Sequence, residues 1–140
     1  MPSKQLVNLE KIGKLKAESS AKAEFDGLVR SGSVRLKDSA NNSLSRDSQF
    51  DLAYNAAHAL ALAALRWHGY RSENRYLVFQ CLEHTLGFDA KEWRVLDEAH
   101  RKRNVAKYEG ELDIDDALVE ALIRATKEIE KRVCALKPLK

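Results

Sequence analysis

The polar and basic residues between His100 and Tyr108 are the part of this sequence whose types and spacing could do chemistry. Positions 100, 103, 104, 107 and 108 are three or four residues apart, so a helix would place them on one face. The cluster comprises His100, Arg101, Lys102, Arg103, Asn104, Lys107 and Tyr108. A guanidinium offers paired donors, and an amide and a phenol add hydrogen bonds, so this face is expected to bind a phosphate. The alternative is a solvated helix end whose cations interact favourably with the helix dipole.

The helix that carries this cluster is predicted to run from Ala90 to Tyr108. A shorter helix is predicted from Tyr76 to Leu86, and the strongest helical pattern lies between Arg46 and Gly69, with Ser45 as its cap. A final amphipathic helix is predicted from near Asp113 to Pro138. Short connections favour antiparallel neighbours, so we expect an all-α, up-and-down bundle of four to five helices.

The central helix is rich in alanine, at positions 53, 56, 57, 59, 61, 63 and 64. Small side chains allow helix backbones to approach closely. This alanine-rich surface suits the intramolecular core, a dimer interface, or both.

The N-terminal part of the chain is less regular. We predict short helices around Leu6–Leu15 and over Ala21–Val29, then a first bundle helix over Val34–Leu44. Residues 1–32 are therefore interpreted as a helical extension and residues 33–137 as the bundle, together forming a single compact domain. Lysines around the first helix indicate either a solvated face or a basic arm that contacts an acidic partner.

The composition supports a helical protein of one domain. The chain has 140 residues, 44% of them hydrophobic, with six glycines and two prolines, too few for the turns of an all-β domain of this size. A net charge of +3 does not by itself indicate nucleic-acid binding. Cys81 and Cys134 match no metal-ligand spacing, and two buried thiols are expected. We expect no membrane segment and a cytoplasmic location.

The histidines suggest no metal site or cofactor, because the four are scattered along the chain. His58 is expected to be buried and hydrogen-bonded beside Tyr54 and Asn55. His100 is either an ordinary surface histidine or a functional group, since it shares a face with Arg103.

The run Arg103-Asn104-Val105-Ala106-Lys107-Tyr108 resembles the signature of HEPN domains (higher eukaryotes and prokaryotes nucleotide-binding). That signature is Arg, usually a polar residue, and then His after four to six intervening residues, near the end of a late helix. The alanine-rich segment Ser48–Tyr70 is similar to the family's long second helix, and the short helix containing Glu83–Leu86 and the last helix also match in order. The resemblance covers about Val34 to Leu136.

The resemblance implies a role for each motif residue. Arg103 would bind a scissile RNA phosphate and stabilise its charge, while Asn104 would orient it. Tyr108 takes the place of the motif His, and a phenol is a poor general base at neutral pH. His100, Arg101 and Lys107 would add phosphate contacts. Ribonuclease members of the family use a neighbouring 2′-hydroxyl as nucleophile, and dimerisation brings two motifs together.

Three functional hypotheses follow. The first is a HEPN-like protein that binds RNA or a nucleotide, either a toxin-type, metal-independent endoribonuclease or a catalytically degenerate relative. The second is a non-enzymatic homodimeric module that docks on a partner protein, such as an antitoxin or a toxin–antitoxin nucleotidyltransferase. The third is an unrelated helical bundle in which the Arg103-Asn104 pair is a coincidence.

Overall fold

The structure is a computed structural model that describes residues 3–109 and 114–139, with side chains described for residues 3–105 and 114–139. Its helices are α1 (Lys4–Lys11), α2 (Lys22–Ser39), α3 (Arg46–Trp67), α4 (Arg75–Gln80), α5 (Leu82–Thr85), α6 (Ala90–Glu109) and α7 (Asp116–Cys134). Two short strands, β1 (Lys16–Ala17) and β2 (Tyr70–Arg71), pair antiparallel. The predicted all-α bundle is confirmed.

Contacts between the long helices give their directions. Glu24 near the start of α2 contacts Arg66 near the end of α3, so these two helices are antiparallel. Asp51 on α3 pairs with Arg103 on α6, and Tyr54, one turn later on α3, contacts His100, one turn earlier on α6, so α3 and α6 are antiparallel. Helices α6 and α7 are antiparallel because Glu92, near the start of α6, pairs with Arg132, near the end of α7. The four long helices therefore alternate in direction, as the short connections predicted.

Helix α3 is the centre of the bundle. The Ser45 side chain caps it by accepting a hydrogen bond from the Ser48 backbone amide at 3.1 Å, as predicted. Its large apolar residues Phe50, Leu60 and Leu65 are fully buried. Six of the seven alanines are also buried within the chain: Ala53, Ala56, Ala57, Ala61, Ala63 and Ala64. Those small side chains therefore serve the intramolecular core.

Helix α2 is one continuous helix where two were predicted. Gly32, which falls between the two predicted helices, lies inside α2, against Leu60. A Cβ at Gly32 would come within 2.6 Å of the Leu60 Cγ, closer than carbon atoms can pack. The glycine therefore permits close packing of α2 on α3, and the interpreted boundary between residues 32 and 33 falls inside a helix.

The N-terminal segment folds back onto the bundle and is held by a buried arginine. Leu6 and Leu15 are buried in the core. The guanidinium of Arg66, whose residue is 1% exposed, donates to the Glu24 carboxylate at 2.7 Å and to the backbone carbonyls of Glu18 and Ser19 at 2.8 and 2.6 Å. The cost of burying this charge is offset because a carboxylate and several carbonyls surround it.

Two further expectations are corrected. The helix predicted from Tyr76 to Leu86 is interrupted at Cys81, between α4 and α5. Cys81 is buried, and burial raises the pKa of its thiol to about 11, whereas Cys134 is exposed, so only one of the two predicted buried thiols is found.

Within residues 3–109 and 114–139, no helix is long and apolar enough to cross a membrane, and no group of three potential metal ligands is present.

Candidate functional site

One face of α6 meets α3 and the start of α4 in a polar pocket of about 360 Å³. His100, Arg103 and Asn104 line it from α6, at the three- and four-residue spacing of a helix face. The other lining residues, which the sequence pattern did not bring to this site, are Tyr54, Glu73 and Arg75. We call this the α3–α6 pocket.

The imidazole of His100 is held from both of its nitrogens. The Tyr54 hydroxyl lies 2.9 Å from Nδ1, and the amide nitrogen of Asn104 lies 3.0 Å from Nε2. The Asn104 amide is oriented with its nitrogen towards the ring, and this nitrogen can only donate, so Nε2 of His100 accepts. Nδ1 of His100 therefore carries the ring proton and donates it to the Tyr54 oxygen. The ring orientation is thus fixed, and the Tyr54 hydroxyl proton remains available for another acceptor.

Tyr54 forms the floor of the pocket. It is 2% exposed, packed among Phe50 and Phe79. Burial raises the pKa of the Tyr54 phenol, although the nearby charges of Arg75 and Arg103 oppose that rise. The phenol therefore stays protonated at neutral pH and acts as a hydrogen-bonding group rather than as a base.

Arg103 lies over the ring of Tyr54 in the α3–α6 pocket. Its guanidinium pairs with the carboxylate of Asp51 on α3, and its Cζ lies 5.7 Å from the centroid of the Tyr54 ring. The side chain of Arg103 is one-third exposed and that of Asp51 half exposed, so the pair is open to solvent and to a competing anion. Such an exposed pair contributes little to stability.

Arg75 reaches the same aromatic ring from α4. Its Cζ is also 5.7 Å from the Tyr54 centroid, and its guanidinium donates to the Asn55 side-chain oxygen at 3.0 Å. Asn55 in turn donates to the backbone carbonyl of Asp51 at 2.9 Å. Asp51 and Asn55, one turn apart on α3, therefore hold the guanidinium groups of Arg103 and Arg75 beside the Tyr54 ring.

Arg101, another predicted site residue, does not line this pocket. Arg101 is largely exposed and pairs with Asp97, one turn earlier on α6. Burial opposes ionisation of Asp97, but hydrogen bonds from Arg101 and Tyr76 outweigh it and keep the Asp97 pKa below its usual range. The side chains of Lys107 and Tyr108 lie outside the described residues, so their predicted roles stay predictions.

The expectation for His58 is partly wrong. The ring packs edge-on against Phe79, but its Nε2 is buried and has no hydrogen-bond partner among the described residues. Burial, helped by the positive charge of Arg75, lowers the pKa of His58 to about 4. His58 is therefore neutral at physiological pH.

A second, larger pocket of about 450 Å³ is formed by α1 with α4, α5 and α6. It is lined by Leu9, Lys14, Leu77, Gln80, Cys81, Glu83, His84 and Trp93. Its thiol, Cys81, is a weak nucleophile because its pKa is raised to about 11. The convergent cations and the fixed imidazole lie in the smaller α3–α6 pocket, which we therefore take as the candidate site.

Sequence reasoning missed Asp51, Tyr54, Asn55 and Arg75 because they lie on other elements than the motif. A signal was present in α3, where Asp51, Tyr54 and Asn55 are polar positions at three- and four-residue spacing within the apolar run that begins at Phe50. Arg75 follows Asn74, whose side chain caps α4 by accepting from the Leu77 amide at 3.1 Å. No sequence signal joined Arg75 to Tyr54.

Comparisons with known proteins return no match: no family model, no curated protein and no solved structure is significantly similar to this chain. The candidate function therefore rests on the residues and geometry described above.

Proposed function

We propose that this chain binds RNA or a nucleotide through a phosphate group in the α3–α6 pocket. The observation that carries the proposal is the convergence of His100, Arg103 and Asn104 from one face of α6. A guanidinium provides paired donors for phosphate oxygens, and the second N–H of the Asn104 amide, which the contact with His100 does not use, adds a single hydrogen bond. The resemblance of the Arg103–Tyr108 run to the HEPN signature supports the same assignment.

In this proposal the protein is either a metal-independent endoribonuclease or a catalytically degenerate relative. Cleavage would begin with loss of a proton from an RNA 2′-hydroxyl, whose oxygen attacks the adjacent phosphorus, and would end with protonation of the departing 5′-oxygen. His100 is the imidazole in the pocket, and imidazole is the side chain best suited to move a proton near neutral pH. Arg103 would stabilise the charge that develops on the phosphoryl oxygens.

The test is an RNA binding and cleavage assay on the purified protein with Arg103→Ala beside it. A mixed RNA pool at low salt is used, with and without a chelator. Arg94→Ala is the matched control, because Arg94 is an exposed arginine on the same helix that does not line the pocket. Circular dichroism and urea unfolding establish that both variants remain folded.

Three results are informative. Chelator-resistant cleavage that only Arg103→Ala abolishes supports the ribonuclease. Binding without cleavage, again lost only in Arg103→Ala, supports the degenerate relative. If Arg103→Ala and Arg94→Ala weaken RNA binding equally, the pocket is not the binding site and the proposal fails.

A second candidate is a non-enzymatic homodimeric module that docks on a partner such as an antitoxin or a nucleotidyltransferase. The observation that favours it is the ion pair between Arg103 and Asp51, because a carboxylate of the same chain already neutralises the charge of the motif arginine. The measurement is co-purification with the product of a neighbouring gene, followed by light scattering to obtain the stoichiometry. A defined complex that persists in Arg103→Ala, together with no RNA binding, would select this candidate over the first.

A further inference from the structure

Arg75 is a second cation of the α3–α6 pocket, supplied by a different element from the one that carries the motif. It lies at the start of α4, which the Asn74 cap and the buried residues Val78 and Phe79 hold in place. The guanidinium carbons of Arg75 and Arg103 are each 5.7 Å from the centroid of the same Tyr54 ring. The two cations therefore border one small pocket.

The two guanidinium groups are positioned before any ligand arrives. Asp51 holds Arg103 and Asn55 holds Arg75, each through a side chain on α3. Each of these contacts uses one nitrogen of a guanidinium that has five N–H donors, so several donors remain on each arginine. Holding the long side chains in place reduces the conformational entropy that a ligand must otherwise overcome.

Tight binding of an anion is expected to require hydrogen bonds to both arginines, because the charges of the four described groups cancel. Arg75 and Arg103 are balanced by the carboxylates of Asp51 and Glu73, so the formal charge of these four groups is zero. Affinity for an anion then depends on direct hydrogen bonds to the two guanidinium groups. A ligand that reaches only one arginine gains one set of these bonds, whereas a ligand with two anionic groups gains both.

We propose that the α3–α6 pocket recognises two neighbouring phosphate groups, one at Arg103 and the other at Arg75. This inference rests on the proposed function and narrows its ligand to a chain with consecutive phosphodiesters or to a nucleoside diphosphate. Asn55 is the positioning residue for the second phosphate contact.

The experiment compares ligands with one and two phosphates by isothermal titration calorimetry at low salt. The probes are inorganic phosphate and pyrophosphate, then the dinucleotide UpU with one phosphodiester, the trinucleotide UpUpU with two, and UDP. They are titrated into the wild-type protein, Arg75→Ala, Arg103→Ala and the Arg94→Ala control. Arg75 is exposed, so its truncation is expected to leave the fold intact, and circular dichroism verifies this.

In the wild-type protein we expect pyrophosphate to bind about tenfold or more tightly than phosphate, because a second charge-assisted contact is made. Arg75→Ala removes this advantage while phosphate still binds in an Arg103-dependent manner. If UpUpU, which has two consecutive phosphodiesters, binds more tightly than UDP, the source is consecutive phosphodiesters, and the reverse order indicates a nucleoside diphosphate.

Two outcomes overturn the inference and differ from failure of the proposed function. Equal affinities for phosphate and pyrophosphate, or an advantage that survives Arg75→Ala, would reject the two-phosphate site while Arg103-dependent binding keeps the proposed function. If no probe binds in an Arg103-dependent manner, both are rejected.

Discussion

The hydroxyl of Tyr54 on α3 and Nδ1 of His100 on α6 are 2.9 Å apart and joined by a hydrogen bond. Tyr54→Phe keeps the ring and removes this hydrogen bond to His100. We expect stability to fall by about 1 kcal/mol and phosphate or RNA binding to weaken by several fold, since the imidazole is no longer fixed. Urea unfolding and calorimetry measure the two effects. Unchanged binding in a folded variant would show that Tyr54 does not position the site.

Asp51 competes with any anion for the guanidinium of Arg103. Asp51→Asn removes the negative charge but retains a side-chain oxygen that can accept from Arg103. We expect this variant to bind inorganic phosphate and RNA several fold more tightly, because one opposing charge is lost near the site. Calorimetry at two salt concentrations checks this, with Asp47→Asn as the control on an exposed acid in the first turn of α3. Weaker binding in Asp51→Asn would mean that the carboxylate is needed to hold Arg103 in place.

Replacement by alanine is expected to change the stability of the protein in opposite directions at two glycines of α2. Gly32→Ala would place its Cβ within 2.6 Å of the Leu60 Cγ, so we expect a loss of about 1–3 kcal/mol in the free energy of unfolding. A Cβ at Gly27 meets no atom within 4 Å, so Gly27→Ala is expected to stabilise the helix by about 0.5–1 kcal/mol. Urea unfolding of both variants checks the sign. If Gly32→Ala were as stable as Gly27→Ala, the close approach of α2 to α3 would be incorrect.

The buried guanidinium of Arg66 makes a strong prediction about stability. Arg66→Met removes one of the two arginine partners of the Glu24 carboxylate and the donor to the carbonyls of Glu18 and Ser19. Glu24 keeps its pair with Arg71, but a buried acceptor left without its donor costs about 1–3 kcal/mol. The midpoint of urea unfolding is the measurement, with Arg30→Met as the control because Arg30 is exposed on α2. A midpoint equal to that of the control would contradict the buried cluster.

Acid is expected to destabilise the protein before its carboxylates titrate. The pKa of His58 falls from 6.5 to about 4 on folding, so the unfolded chain binds this proton first as the pH is lowered. The free energy of unfolding therefore decreases between pH 6.5 and pH 4, by up to about 3 kcal/mol for this one group. Burial also lowers the pKa of His68, which adds to the loss in the same direction.

The measurement is urea unfolding at several values between pH 7 and pH 5 for the wild-type protein and His58→Gln. The variant lacks the titrating imidazole, so its stability is expected to fall less steeply over this range, whatever its stability at pH 7. Parallel curves for the two proteins would show that His58 is not held neutral by burial.

Several parts of the fold could be predicted from sequence because their signals are local. Ser45 precedes a long apolar run, and its cap on α3 was predicted correctly. The apolar stripe that includes Leu118, Leu122 and Ile129 gave α7, although its start at Asp116 lies later than predicted. The break predicted between Val29 and Val34 was wrong, because the role of Gly32 is set by its close contact with Leu60, which lies far away in sequence.

The same distinction applies to the candidate site. The spacing of His100, Arg103 and Asn104 is a property of one helix, so their common face could be read from the sequence. The partners of Arg103 on α3, Asp51 and Tyr54, are set by how α3 packs on α6, which no local pattern specifies. For this reason the motif was found and its surroundings were not.

The contacts between Arg66 and the N-terminal segment have a consequence for synthesis on the ribosome. Glu18 and Arg66 are 48 positions apart, so the segment bearing Leu6 and Leu15 emerges well before its docking surface exists. At about 5–20 residues per second this delay lasts roughly 2–10 seconds. During that time these two apolar side chains have no native partner, and the nascent chain presents them to chaperones or to other chains. This segment therefore cannot reach its native position until α3 has been synthesised.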